Sequence, residues 1–167
     1  QQTHEDIRIT LGEMLGHQGY FAARCGDFMH AQVLLEQSLN SLGSDAPSDL
    51  ICEMQYSFGL ISYQLGLYKQ ALELLTDCCN VCEQEQNSYL HGLASHALSL
   101  ALTAQGKYAQ AEQISQAGLP QWRNYGSPRV LCCGLSTYSI VLLAQHKTVA
   151  ARNALQECLQ ISSANRD

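Results

Sequence analysis

The fold of this chain is decided by a nine-residue stretch that occurs three times: ARCGDFMHA at residues 23–31, YQLGLYKQA at 63–71 and TAQGKYAQA at 103–111. Each copy has a glycine in the fourth place, an aromatic residue in the sixth and an alanine in the ninth. The glycines of successive copies are 40 residues apart. A fixed period of this length indicates a repeat architecture. The same register reaches LAQHKTVAA at 143–151, which keeps the alanine but lacks the glycine and the aromatic residue.

The period extends beyond the stretch that reveals it. Two further columns hold small residues in all four copies, one before the glycine position (Gly19, Gly59, Ser99, Ser139) and one after it (Ser38, Cys78, Gly118, Cys158). The sequence therefore predicts four repeats in a single domain spanning residues 1–167, at approximately 7–46, 47–86, 87–126 and 127–167. Because the chain starts at Gln1 without a methionine, we expect it to be part of a longer protein.

Each repeat is predicted to be a hairpin of two helices. Apolar residues recur at helical spacing, and the glycine supplies the left-handed backbone that ends the first helix. Asp27 and Ser127 are placed to cap the helices that follow them. The three prolines, Pro47, Pro120 and Pro128, are expected between repeats. The predicted helices are 4–25, 28–42, 48–65, 68–84, 88–105, 108–119, 128–145 and 148–162.

The order of small residue, glycine, aromatic residue, alanine and small residue resembles the tetratricopeptide repeat (TPR). The resemblance implies an all-α fold, a right-handed α-solenoid superhelix of four antiparallel helix hairpins. The usual TPR unit has 34 residues and a proline near its end, and this chain departs from both. Its longer unit is similar to the C-terminal repeat arrays of bacterial signal-transduction ATPases and of related transcription activators such as the maltose-regulon activator.

The resemblance also implies a binding surface, because the first helix of each TPR lines the concave face. The positions that match this groove are Glu13, His17, Tyr20, Arg24, Glu53, Tyr56, Leu60, Tyr63, Gln64, Leu93, His96, Leu100, Thr103, Ile140 and Leu143. The groove is predicted to be polar and aromatic at its N-terminal end and apolar at its C-terminal end. The apolar end either binds a partner or packs against neighbouring repeats.

Two functions follow as alternatives. The chain is a scaffold for protein–protein interaction within a signalling or transcription-regulatory protein, or a sensor that binds a small-molecule or peptide effector in the groove. Fifteen acidic against nine basic residues disfavour a nucleic-acid partner, and no apolar run is long enough for a membrane span. We expect a cytoplasmic protein. Apolar residues in the first and last helices, such as Ile7, Leu11 and Leu155, predict self-association through the ends of the array or fraying of the last helix.

The remaining candidates for chemistry are eight cysteines and six histidines. The Cys79-x-x-Cys82 spacing suits a metal site, but zinc needs a second pair or nearby histidines. The repeat register also places most of the cysteines in small or apolar columns, so we predict reduced, buried, structural thiols and no metal or cofactor. No hydrolase or nucleotide-binding motif is present. The sequence therefore predicts no catalytic residues and a protein that is not an enzyme.

Overall fold

The computed structural model describes residues 2–125 and 127–164, and within them the chain forms eight α-helices and no strand. The helices are α1 (Gln2–Arg24), α2 (Phe28–Leu42), α3 (Ser48–Gln64), α4 (Tyr68–Gln84), α5 (Ser88–Ala104), α6 (Tyr108–Tyr125), α7 (Pro128–Ala144) and α8 (Thr148–Ala164). The predicted pair of helices in each repeat is confirmed, and α2 and α4 have the predicted bounds.

Each hairpin turns through one residue with left-handed backbone. Gly26, Gly66 and Gly106 have φ angles of 86°, 77° and 74°, as the sequence predicted. In the fourth repeat His146 takes this conformation with a φ of 59°. The turns close alike, because the backbone N–H after the left-handed residue donates to a carbonyl five residues earlier, as from Lys147 to Leu142 at 2.9 Å. The turn therefore survives the loss of its glycine.

The helices α2, α5 and α7 begin at side-chain caps, whereas α3 follows Pro47 without one. The Asp27 carboxylate accepts a hydrogen bond from the backbone N–H of His30 at 3.1 Å. Ser127 accepts one from Val130 at 3.5 Å, with Pro128 as the first residue of α7. Both predicted caps are confirmed.

The prediction that Pro120 lies between repeats, with the preceding helix ending at residue 119, is wrong. Pro120 lies inside α6, which continues to Tyr125. A proline in a helix interior removes one backbone hydrogen bond and costs about 3 kcal/mol. The cost is offset because the next turn carries Trp122, whose side chain is 1% exposed. Burying a side chain of that size is worth several kcal/mol.

The small columns lie where the two helices of a hairpin cross. Ala31, Ala71 and Ala111 are fully buried, as the register predicted. A Cβ added at Gly19 would lie 2.9 Å from the Leu35 side chain, and one added at Gly12 would lie 2.7 Å from that of Leu42. The later residue of α1 thus faces the earlier residue of α2, so the two helices are antiparallel. Their backbones approach too closely for larger side chains.

The chain divides into two compact units, Gln1–Cys82 and Glu83–Asp167. In the first, the core gathers around Leu35, Met54 and Phe58. In the second, it gathers around Trp122 and Leu135. Among the helices of residues 2–125 and 127–164, none has both the length and the apolar character required to cross a bilayer.

Candidate functional site

All fifteen residues predicted to line the groove are at least partly exposed. Buried positions on the first helices are held by other residues. Within the first unit α1 packs beside α3, where Gly16 approaches Met54 so closely that an added Cβ would overlap its sulfur. The first-helix residues of successive repeats are therefore neighbours in this unit.

One exposed face of α1 is polar and aromatic. Glu13, His17, Tyr20 and Arg24 are all solvent-exposed. The Arg24 guanidinium lies 5.9 Å from the centre of the Tyr20 ring and donates a hydrogen bond to its hydroxyl at 3.3 Å. That hydrogen bond raises the pKa of Arg24 above its ordinary value, so the face presents a permanent positive charge beside an aromatic ring.

The neighbouring face of α3 is less exposed. Glu53 and Gln64 are solvent-exposed, whereas Tyr56, Leu60 and Tyr63 are half-buried. These three can contact a ligand only through part of their surface. The predicted residues of this unit are therefore polar or aromatic, apart from Leu60.

In the second unit, His96 on α5 contributes to structure. Its Nδ1 forms a short hydrogen bond with the hydroxyl of Thr137 on α7. Burial of the imidazole lowers the pKa of His96 to about 4, because the charged form would lose its hydration. His96 is therefore neutral at physiological pH and ties α5 to α7.

The other predicted residues of this unit differ in exposure. Leu93, Leu100 and Thr103 are half-buried, and the Thr103 hydroxyl donates to the Ser99 carbonyl of its own helix at 2.7 Å. Ile140 and Leu143 on α7 are nearly half exposed. These two apolar side chains are the part of the predicted surface in this unit with most area free for a ligand.

A second cluster, which we call the thiol triad, lies in the core of the hairpin formed by α3 and α4. It consists of Cys52, Cys78 and Cys82, all at most 2% exposed. Their three sulfur atoms lie within 4.8 Å of one another, and the sulfurs of Cys78 and Cys82 are 3.9 Å apart. The Cys78 thiol also donates to the Cys52 backbone carbonyl at 3.3 Å.

The surroundings of Cys52 and Cys78 keep these two thiols protonated. Burial, which disfavours the thiolate, raises the pKa of Cys52 to about 12 and also raises that of Cys78. Within the described residues no histidine or carboxylate joins the three sulfurs as a possible metal ligand. The triad therefore offers only sulfur to a bound atom.

The same three positions are filled differently in each repeat. They hold Gly12, Ser38 and Leu42 in the first repeat, Gly92, Gly118 and Trp122 in the third, and Cys132, Cys158 and Ser162 in the fourth. Where the first helix has glycine at its position, the third position holds a large side chain, Leu42 with Gly12 and Trp122 with Gly92. A Cβ added at Gly92 would lie 2.5 Å from Nε1 of Trp122. The volume of the set is thus shared between two helices.

The sequence analysis missed the thiol triad because it looked for metal-ligand spacing along the chain. Cys52 and Cys78 are 26 residues apart and on different helices. The signal was in the repeat register, which aligns Cys52 with Cys132 and Cys78 with Cys158. The prediction that the cysteines are buried is confirmed for the triad. It holds only in part for Cys79, Cys132, Cys133 and Cys158, which are half-buried, and is wrong for Cys25, which is exposed because it lies in a hairpin turn.

Comparison with known proteins gives structural likeness without sequence likeness. No protein-family model and no curated protein sequence matches the chain. Two solved structures from Podosopora anserina, described as kinesin light chain with nearly identical TPR-like repeats, superpose on it. One, a single-substitution variant, has a TM-score of 0.73 and 15% sequence identity over 91% of this chain and 74% of the other. The second has a TM-score of 0.70 and 16% identity over 92% and 76%.

The fold is a TPR-like helical repeat. At these identities the likeness concerns the fold alone, and it confirms the predicted all-α fold class. In TPR-like terms, α1, α3, α5 and α7 are the first helices of the four repeats, and the fifteen predicted residues lie on them.

Proposed function

We propose that this TPR-like chain is a non-catalytic scaffold that binds a partner protein or peptide through the first helices of its repeats. The observation that carries the proposal is that all fifteen predicted residues keep some exposed surface and that eight of them are solvent-exposed. Ile140 and Leu143 place two partly exposed apolar side chains three residues apart on the surface of α7. A partner that covers them would bury apolar area.

The two units offer different chemistry to a partner. The first presents Glu13, His17, Tyr20 and Arg24 on one helix, which suits a polar segment with an acidic or aromatic side chain. The second presents Ile140 and Leu143, which suit an apolar anchor residue. We infer a polar partner segment for the first unit and an apolar anchor residue for the second, each unit taken by itself.

The experiment is selection of peptides by display on the intact chain, followed by affinity measurement with two matched variants. Leu143→Asp places a charge on a first helix, and Val149→Asp places the same charge on α8, a second helix, at a residue that is also exposed. We expect Leu143→Asp to weaken binding about tenfold or more, as for a hot-spot residue. Val149→Asp should change it less than about twofold.

Equal loss in both variants, or a larger loss with Val149→Asp, would contradict binding through the first helices. Titration with sugars and nucleotides tests the alternative of a small-molecule sensor. Saturable binding of one of them, weakened by a first-helix variant, would favour the sensor over the scaffold.

We further propose that the chain acts within a larger cytoplasmic protein of signal transduction or transcription regulation. The support is the 40-residue unit, which is similar to that of the repeat arrays of bacterial regulators. The sequence of the complete gene tests it: an adjoining nucleotide-binding motif or helix-turn-helix supports the proposal, and a complete protein consisting of these repeats alone would refute it.

Self-association through the terminal helices is the last part of the proposal. On α1, Ile7, Leu11, Met14 and Phe21 are at least half exposed and lie on one face of the helix. On α8, Leu159 is 68% exposed. We expect the average mass in light scattering to rise with concentration, and Leu11→Glu to suppress the rise. A mass that stays monomeric at all concentrations would refute this.

A further inference from the structure

We propose that the thiol triad, Cys52, Cys78 and Cys82, is a binding site for one trivalent arsenic atom, held by three sulfur bonds and taken up as arsenous acid. The site lies inside the hairpin of α3 and α4, apart from the first-helix surface. Three observations support it: the arrangement of the sulfurs, their burial, and the comparison with the fourth repeat.

The arrangement of the sulfurs suits a three-coordinate atom. Arsenic bound to three sulfurs keeps a lone pair and is pyramidal, so bonds of about 2.3 Å, the length of a zinc–thiolate bond, at angles of about 100° place the sulfurs about 3.5 Å apart. The Cys78 and Cys82 sulfurs are 3.9 Å apart and all three lie within 4.8 Å. Rotation of the side chains has to draw the sulfurs closer together for all three to bond to one atom. Structural zinc needs four ligands, and the described residues supply three.

The burial of the triad selects for a ligand that leaves no net charge. A buried charge without a partner is strongly unfavourable. Three thiolates around copper(I) would carry two negative charges, and around a divalent metal one. Among the described residues, the charged side chain that acts on Cys52 is the Asp49 carboxylate, whose negative charge would not offset them. A trivalent centre bound to three thiolates is neutral.

The uptake is a balanced exchange without oxidation or reduction. Each thiol loses its S–H bond and gains an S–As bond, and each As–OH bond breaks. The three protons leave with the three hydroxyl groups as three water molecules. Neutral thiols and neutral arsenous acid thus give a neutral product, so the burial that keeps Cys52 and Cys78 protonated does not oppose the reaction.

The fourth repeat provides an internal comparison. There the equivalent set is Cys132, Cys158 and Ser162, with a 3.5 Å contact between the Cys132 sulfur and the Ser162 hydroxyl. This set offers two thiols, and its residues are half-buried or exposed. Serine is therefore compatible with the hairpin at this position, and Cys82→Ser gives the second repeat the thiol content of the fourth.

The experiment is titration of the intact, phosphine-reduced chain with sodium arsenite, followed by native mass spectrometry and near-ultraviolet absorption of the arsenic–sulfur bonds. We expect one arsenic atom per chain, with the loss of three hydrogen atoms. Cys82→Ser should weaken binding about a hundredfold or more, the gain that an additional tethered bond brings. Cys25→Ser, which removes an exposed thiol, should bind as the natural chain does. Ser162→Cys should take up a second arsenic atom.

Binding with the loss of only two hydrogen atoms, or equal affinity in Cys82→Ser, would overturn the proposal. Copper(I), supplied with a competing chelator, tests the argument from charge. Retention of copper(I) by a chain that fails to bind arsenite would refute that argument. If Cys82→Ser lost its helical circular dichroism, the result with Ser162→Cys would test the three-sulfur site instead. Failure of Ser162→Cys to bind a second arsenic atom would then count against such a site.

Discussion

Trp122 and the glycines around it allow a decisive test of the packing in the second unit. The indole ring lies between Gly92 on α5, Gly118 on α6 and Gly134 on α7. A Cβ added at Gly134 would have three Trp122 ring carbons closer than 3.0 Å. The ring cannot move aside, because glycines on two other helices also touch it. Gly134→Ala should therefore force the helices apart.

The expected magnitude follows from two opposing effects. Overpacking costs about 1–3 kcal/mol, and we expect the upper end because the ring is rigid and enclosed. Replacing glycine by alanine inside a helix gains about 1 kcal/mol. Gly134→Ala should thus lower the free energy of unfolding by about 2 kcal/mol. In a Trp122→Leu background the clash is removed, so the same change should raise it by about 1 kcal/mol.

Urea unfolding followed by far-ultraviolet circular dichroism measures both effects in a double-mutant cycle of four proteins. The expected coupling between the two positions is about 3 kcal/mol, at the upper end for residues in direct contact. The slope of the free energy against urea concentration should stay constant. A Gly134→Ala effect of the same sign and size in both backgrounds would refute the packing described here.

Three other predictions concern single positions. His96 is protonated in the unfolded chain below its ordinary pKa of 6.5, but burial lowers its pKa in the folded chain to about 4. Stability should therefore fall as the pH drops from 6.5 to about 4, by about 1.4 kcal/mol per pH unit, and His96→Gln should flatten the pH dependence of the urea midpoint. Ala71→Leu should cost about 1–3 kcal/mol in thermal and urea unfolding, whereas the exposed Gln110→Ala should cost under about 0.5 kcal/mol, and equal losses would contradict the repeat register. Asp27→Ala should cost about 1 kcal/mol through the lost cap, and an unchanged urea midpoint would show that the cap is not stabilising.

The helices could be predicted from the sequence because local signals and the repeat agree. Gly26 and Asp27 end one helix and begin the next, and the 40-residue register carries these bounds to the other repeats. The prediction was wrong at Pro120, where a local signal for a helix end is outweighed by the burial of Trp122. That burial depends on Gly92 and Gly134, which are distant in the sequence.

The candidate sites were predictable to different degrees. The exposure of the first-helix residues follows from the helical period once the register is known. The hydrogen bond between His96 and Thr137 could not be predicted, because it depends on how closely α5 and α7 pack. The thiol triad joins Cys52 to residues of the next helix, so it required the alignment of columns across a hairpin rather than a spacing along the chain.

The sharing of volume between the two helices of a hairpin has a consequence for how such an array can change by recombination. Exchange of a whole hairpin carries a matched set with it, such as glycine with Trp122 or Cys52 with Cys82. Exchange of one helix separates the set. Suppose that a first helix with cysteine at the Gly12 position is joined to a second helix with leucine at the Leu42 position. A Cβ at Gly12 would already lie 2.7 Å from the Leu42 side chain, so the larger cysteine side chain would clash with it. For the same reason, a consensus averaged column by column over these repeats would mix incompatible partners, and an exchanged hairpin fits only where its new neighbour is also matched, as Gly134 on α7 is matched to Trp122.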